Sequence, residues 1–152
     1  MRPPRELGAR LDTILAHGER LVKPLPIRAL DRPLPSGEGC VRDLAFRLFR
    51  GALAYVDGMD MGELREAWLR EAAPPDLVEG SAVARYGALV RGRVAGWFEG
   101  AGPGEFTRMI ATGAGPSTGH ALLDRTVSRA EQQLRDLRDV AVELGAPVEE
   151  LP

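Results

Sequence analysis

Few side chains in this sequence could do chemistry unaided, and their spacing narrows the field further. There are two histidines, His17 and His120, and one cysteine, Cys40. A metal site needs ligands grouped at helix or loop spacing, and neither histidine has a second ligand at such a spacing. His17 falls at the edge of an apolar stripe and His120 in the first turn of a predicted helix, so packing or surface roles suit both. Cys40 cannot form an internal disulfide or a thiolate cage. Lys23 is the only lysine, which leaves little room for amine chemistry. Asp57, Asp60 and Glu63 suit capping and solvation of a turn better than paired acid–base work. Tyr86 is the phenol of interest, because a buried hydroxyl needs a partner and could act as an acid. The run GAGPSTG at 113–119 shares only its composition with a phosphate loop, lacking the Gly-Lys-Ser/Thr ending. No Ser-His-Asp set or nucleophile elbow is present.

The elements that must position these groups are helices. Leu7, Leu11, Ile14, Leu15 and Leu21 recur at helical period and predict a first helix over 5–22, stopped by Pro24 and Pro26. Residues 25–39, with Pro33, Pro35, Gly37 and Gly39, read as a connection. A second helix is predicted over 40–58, with Val41, Leu44, Leu48, Phe49, Ala52, Tyr55 and Val56 on its apolar face. A short extra helix over 63–72 presents Leu64, Trp68 and Leu69 before Pro74 and Pro75 stop it. The third long helix covers 81–98 through Val83, Tyr86, Val90, Val94 and Trp97. Glycine-rich loops at 100–104 and 113–119 bracket FTRMIAT, which reads as a short strand or extended segment. The last helix covers 118–144, capped by Thr118, with Leu123, Val127, Ala130, Leu134, Leu137 and Ala141 inward. Gly145 and Pro147 end it. The pattern implies an all-α bundle with a long crossover, in one domain over 1–152.

Composition excludes several functions. At 152 residues, 44% hydrophobic and 28% charged, the chain suits a globular domain with one sizeable core. The formal net charge is -2 and the charges are scattered, so neither nucleic acid nor an anionic membrane is an expected partner. No apolar run is long enough to span a bilayer. The N-terminus lacks a hydrophobic signal core, and a cytoplasmic location is the expectation.

Two stretches carry a resemblance. GHALLDRTVSRAEQQLRDL, residues 119–137, resembles the last helix of the DinB-like superfamily of four-helix bundles, which runs like H-x-L-L-x-R-T…W-H-x-x-x-H-L-R-x-L. His120, Leu122, Leu123, Arg125, Thr126, Leu134, Arg135 and Leu137 fit that pattern. Residues 32–60, RPLPSGEGCVRDLAFRLFRGALAYVDGMD, look like the family's second helix with its A-[FY]-H-[LIV]-F segment. The resemblance implies an up-down-down-up four-helix bundle and a divalent metal held by three histidines, most often for thiol transfer. It also implies association of two copies through helix faces. In this chain the three ligand positions fall on Arg47, Arg129 and Gln133.

That replacement changes the expected chemistry. Arg129 and Gln133 are an i, i+4 pair and project from one helix face. A guanidinium has no usable lone pair, and an amide carbonyl is a weak ligand, so no metal and no other cofactor is expected. Two guanidiniums and an amide would suit a small anionic or polar molecule, whose carboxylate or phosphate matches the guanidinium fork. The expected ligand-binding set is therefore Arg47, Arg129 and Gln133, with Tyr86 as a further candidate. Catalytic residues are not assigned. The competing reading is structural: Asp43 lies one turn before Arg47 and offers an i, i+4 ion pair, and Arg129 and Gln133 flank the inward stripe. Three functions follow, namely a metal-independent pocket protein, a metal- and thiol-dependent S-transferase with other ligands, and a non-catalytic interaction bundle.

Overall fold

The computed structural model describes residues 1–145. Helix α1 spans Pro4–Val22, with Pro4 in its first turn, where the missing N–H costs nothing. Its face of Leu7, Leu11, Ile14, Leu15, Leu21 and Val22 is buried. The connection predicted over 25–39 is not wholly irregular: it holds one helical turn, α2 (Ile27–Leu30), and a bridge between Pro33 and Cys40. Helix α3 covers Val41–Met61. Asp43 Oδ2 accepts the Cys40 backbone N–H at 3.0 Å and Cys40 Sγ at 3.4 Å, closing the first turn. The helix runs past Gly58, the predicted end, and stops at Gly62, whose φ of 78° is the left-handed conformation that terminates helices.

Helix α4 spans Gly80–Gly100 and helix α6 spans Gly119–Glu143. The Thr118 hydroxyl caps α6 by accepting from Ala121 N at 3.1 Å. Gly145, with φ 71°, follows its last turn as expected, whereas Pro147 lies outside the described residues. Between α4 and α6, the FTRMIAT run is only partly extended. Phe106 and Thr107 belong to a short helix, α5 (Pro103–Thr107), and Met109–Ile110 forms β1. Strand β1 pairs antiparallel with β2 (Ser117–Thr118), Met109 opposite Thr118.

The four long helices form an up-down-down-up bundle. Helix α1 packs on α4 and α6, and α3 packs on the same two, so α4 and α6 lie across the diagonal. Gly8, near the start of α1, lies under the Phe98 ring near the end of α4, where a Cβ would come within 2.9 Å. Those helices are therefore antiparallel. Phe46 stacks on Tyr86 at 5.1 Å and Tyr55 meets Trp97 at 5.7 Å, so α3 and α4 run parallel. Tyr55 Oη donates to the Gly119 carbonyl at 3.0 Å, which sets the start of α6 beside the end of α3. One core cluster, with Phe49, Tyr55, Leu123 and Leu134 fully buried, joins all four.

Parallel α3 and α4 require residues 62–79 to travel back along the bundle. Helix α3 has 21 residues, about 30 Å at 1.5 Å per residue. A wholly helical crossover would fall short of that distance, whereas extended backbone gains about 3.3 Å per residue. The short helix predicted over 63–72 accordingly shrinks to a 3-10 turn at Glu66–Arg70, with Leu64 buried and Trp68 half-buried. Side chains of α3 fasten this strap: Asp43 Oδ1 accepts Ala73 N at 2.8 Å, and Arg42 donates to the Val78 carbonyl at 3.0 and 2.7 Å.

Burial raises the Asp43 pKa, but the hydrogen bonds from Ala73 and Cys40, together with nearby Arg47, outweigh it and leave the carboxyl below its ordinary value. Its contribution to stability is therefore present above the unfolded value of about 3.9 and lost as pH falls through the lower folded value. Asp43→Ala should cost about 1–3 kcal/mol at pH 7. In urea denaturation the gap between wild type and variant should narrow below about pH 4; a gap independent of pH would refute this role for the carboxylate.

Candidate functional site in the seam between α3 and α6

Arg47 projects from α3 and Gln133 from α6 into one groove of about 680 Å³, closed at one side by residues 32–38. Leu34, Val41, Leu44 and Val140 supply its apolar wall, and Arg32, Glu38, Asp136, Asp139 and Glu143 complete its charged rim. The helical period explains the meeting. Arg47 and Gln133 each stand one flank away from the buried stripes of Leu44, Leu48 and Leu134, Leu137, so they edge the seam those stripes form.

The polar groups of the groove are unequally committed. Arg47 Nη1 donates to the Glu38 carbonyl at 2.6 Å and Nε to the Glu71 carbonyl at 3.2 Å. Its guanidinium thus ties the loop before α3 to the crossover strap. Arg32 pairs with Glu143 at 3.0 Å, and Asp136 accepts from Gln132 at 2.9 Å. The Gln133 amide and the Glu38 and Asp139 carboxylates make no hydrogen bond or ion pair among the described residues. Asp43, the expected partner of Arg47, turns instead to the backbone of Cys40 and Ala73.

The other two expected site residues stand apart. Arg129, one turn before Gln133, is exposed and does not line the groove. Its guanidinium is held below its ordinary value, first by partial loss of hydration, with Glu66 opposing and Arg125 adding to it. Tyr86 sits on α4, diagonal to α6, with its ring stacked on Phe46 and edge-on to Phe49 at 6.4 Å. Burial pushes its phenol upward, with Arg50 opposing, and Glu71 and Asp57 adding. A phenol so placed holds its proton near neutral pH.

The remaining candidates have structural partners. His17 is buried, and His120 Nε2 lies 2.7 Å from the Arg2 carbonyl. Glu131 faces α1, where Arg2 and Arg10 reach it at 3.1 and 3.2 Å. Asp60 accepts from Arg93 at 2.8 Å and Trp97 Nε1 at 3.2 Å, binding α3 to α4. No group of three or more His, Cys, Asp or Glu side chains among the described residues is placed to hold a metal ion. The donor set at Arg47, Arg129 and Gln133 does not fit a divalent cation either, since two members are protonated guanidiniums.

Sequence reasoning missed the residues that hold the strap. Besides Arg42 and Asp43, Arg50 pairs with the Glu71 carboxylate at 3.3 Å, and its guanidinium lies 5.6 Å from the centre of the Trp68 ring. The signal was available, because Asp43, Arg47 and Arg50 follow the i, i+4, i+7 spacing of a single helix face.

Four helices in up-down-down-up order, with a groove between the second and fourth long ones, define the class of fold. No family model matches the sequence, and no curated protein matches it. Among solved structures, a DinB-like protein of Bacillus subtilis, YjoA, is similar over 97% of this chain and 95% of its own, with a TM-score of 0.73 and 13% identity. The chain therefore has the DinB-like fold. No helix among the described residues is long and apolar enough to cross a membrane.

Arg47→Ala removes both ties to backbone carbonyls while leaving the α3 core face intact. Amide exchange in residues 66–79 should accelerate while protection in α3 and α6 is kept, at a cost of about 1–2 kcal/mol in global stability. Uniform loss of protection throughout the bundle would contradict a local fastening role.

Proposed function

We propose that the protein binds a small polar molecule, without a metal ion, in the groove between α3 and α6. The observation that carries this reading is the uncommitted polar set of Gln133, Asp139 and Glu38 facing an apolar wall across about 680 Å³. That volume is within the range of small-molecule pockets, and a few convergent polar groups on an apolar surface are what orient a ligand. Arg47 acts in this reading as the fixed corner of the site, already engaged by two carbonyls.

The charge of the lining narrows the ligand class. Glu38, Asp136, Asp139 and Glu143 outnumber Arg32 and Arg47, and the free charges are acidic. An anion would have to displace Arg47 from the carbonyls it serves. A molecule with an amine or other hydrogen-bond-donating end meets Asp139, Glu38 and the Gln133 carbonyl without that cost. The fold is equally that of a non-catalytic bundle, and absence of any ligand would favour that alternative. A thiol-transferase reading would need ligands from elsewhere, because the described acids, histidines and cysteine form no metal cluster.

Chemical-shift mapping of chelator-treated protein with small diamines, amino alcohols and citrate tests the proposal. Amines should move resonances of Leu44, Arg47, Gln133 and Val140, and citrate should not. Gln133→Leu or Asp139→Ala should each weaken that binding about tenfold, the equivalent of ~1.4 kcal/mol. Binding of citrate alone, or shifts confined to another face, would overturn the assignment.

A further inference from the structure

We propose that a second groove, between α1 and the end of α4, binds a small aromatic amine, with its ring on Phe98 and Phe106 and its ammonium at the rim acids Asp12 and Glu99. The groove measures about 780 Å³, and its lining side chains are apolar apart from Arg5, Asp12 and Glu99. It shares no lining residue with the groove of Arg47 and Gln133, so the inference does not rest on the function proposed above.

The floor is aromatic and braced from behind. Phe98 and Phe106 are half-buried, and their rings are nearly parallel with centroids 6.2 Å apart. Trp97 stands edge-on to both, at 5.0 and 5.8 Å, and is itself tied to Asp60 by a 3.2 Å hydrogen bond. Tyr55 stacks on Phe98 at 6.5 Å. These neighbours fix the rings in advance of any ligand. The walls are low, because Ala9 on α1 and Ala95 on α4 are exposed and small. A flat floor between low walls suits a planar ring, and aromatic contact adds to the gain from burial alone.

Charge selects the sign of the ligand. Arg5 and Asp12 are two turns apart on α1, about 10 Å by helical rise. The approach of Gly8 to Phe98 and the ion pair of Glu19 with Arg91 at 3.2 Å set the level of α4 against α1. They place Glu99 opposite the stretch of α1 between Arg5 and Asp12. All three charged groups are exposed, and neither Arg5 nor Glu99 forms an ion pair or hydrogen bond among the described residues. Two carboxylates against one guanidinium leave negative charge in excess, even where Arg5 answers one of the acids. A cation beside the Phe98 ring also gains from the negative face of the aromatic system. An aromatic carboxylate could meet Arg5 but would be repelled by both acids.

Chemical-shift mapping of the full chain with 2-phenylethylamine, and with phenylacetate as its charge-reversed counterpart, provides the test. The amine should move resonances of Gly8, Ala9, Ala95 and Phe98, and phenylacetate should bind about fivefold more weakly or worse. Ala95→Leu should block the groove without lowering stability, because the position is exposed and leucine is a good helix former. Asp12→Lys combined with Glu99→Lys should reverse the preference, so that phenylacetate becomes the better ligand. The proposal fails if millimolar amine moves none of these resonances, or moves only those of the groove between α3 and α6. Equal binding of phenylacetate, or an Ala95→Leu variant that binds normally, would also overturn it.

Discussion

Helices α3 and α4 run in the same direction, and much of what distinguishes this molecule follows from joining the end of one to the start of the other. The join must return the length of the bundle, so it is extended, and extended backbone at a surface has N–H and C=O groups to satisfy. Three side chains in the first half of α3 meet that need, and a fourth pairs with a strap carboxylate. Asp43 takes an N–H from Ala73, Arg47 serves the Glu71 carbonyl, Arg50 the Glu71 carboxylate and Arg42 the Val78 carbonyl. The polar flank of α3 is thus a fastening strip first.

The groove between α3 and α6 inherits its character from that strip. Arg47 stands at its wall but is already engaged on both sides, by Glu38 and Glu71, so its charge is directed into the scaffold. What remains to face a visitor is the α6 contribution, with Gln133 and Asp139, and the loop acid Glu38. Arg47 thus serves to knot two loops. The same guanidinium geometry that suits carboxylates suits a pair of carbonyls.

The far end of the bundle is closed by aromatic packing. Tyr55 is fully buried, donates to the Gly119 carbonyl, and meets Trp97 edge-on, while Trp97 also contacts Phe98 and Phe106. Burial, with Glu105 nearby, takes the Tyr55 phenol far above its ordinary range, so it serves as a neutral donor that fixes where α6 begins. That bond adds to the core packing of α6 on α3, the two helices whose seam Arg47 and Gln133 line.

Much of this was legible from residue order alone. The apolar periods marked four long helices, Pro24, Thr118 and Gly145 marked ends, and the stretches at 32–60 and 119–137 pointed to the fold. Local chemistry writes such signals directly, because a helix repeats every 3.6 residues and a cap is one residue long. Where the signal was ambiguous, distance in space settled it: Gly58 lies inside α3, the 63–72 segment is mostly extended, and Phe106 is helical. Tertiary structure alone decided that Arg47 and Gln133 share a groove, that Arg129 stands outside it, and that Tyr86 faces another seam. The sequence fixes which flank of its own helix a residue occupies. Only the packing of helices across the bundle, set by buried volume and by a crossover of limited length, determines which flank it meets.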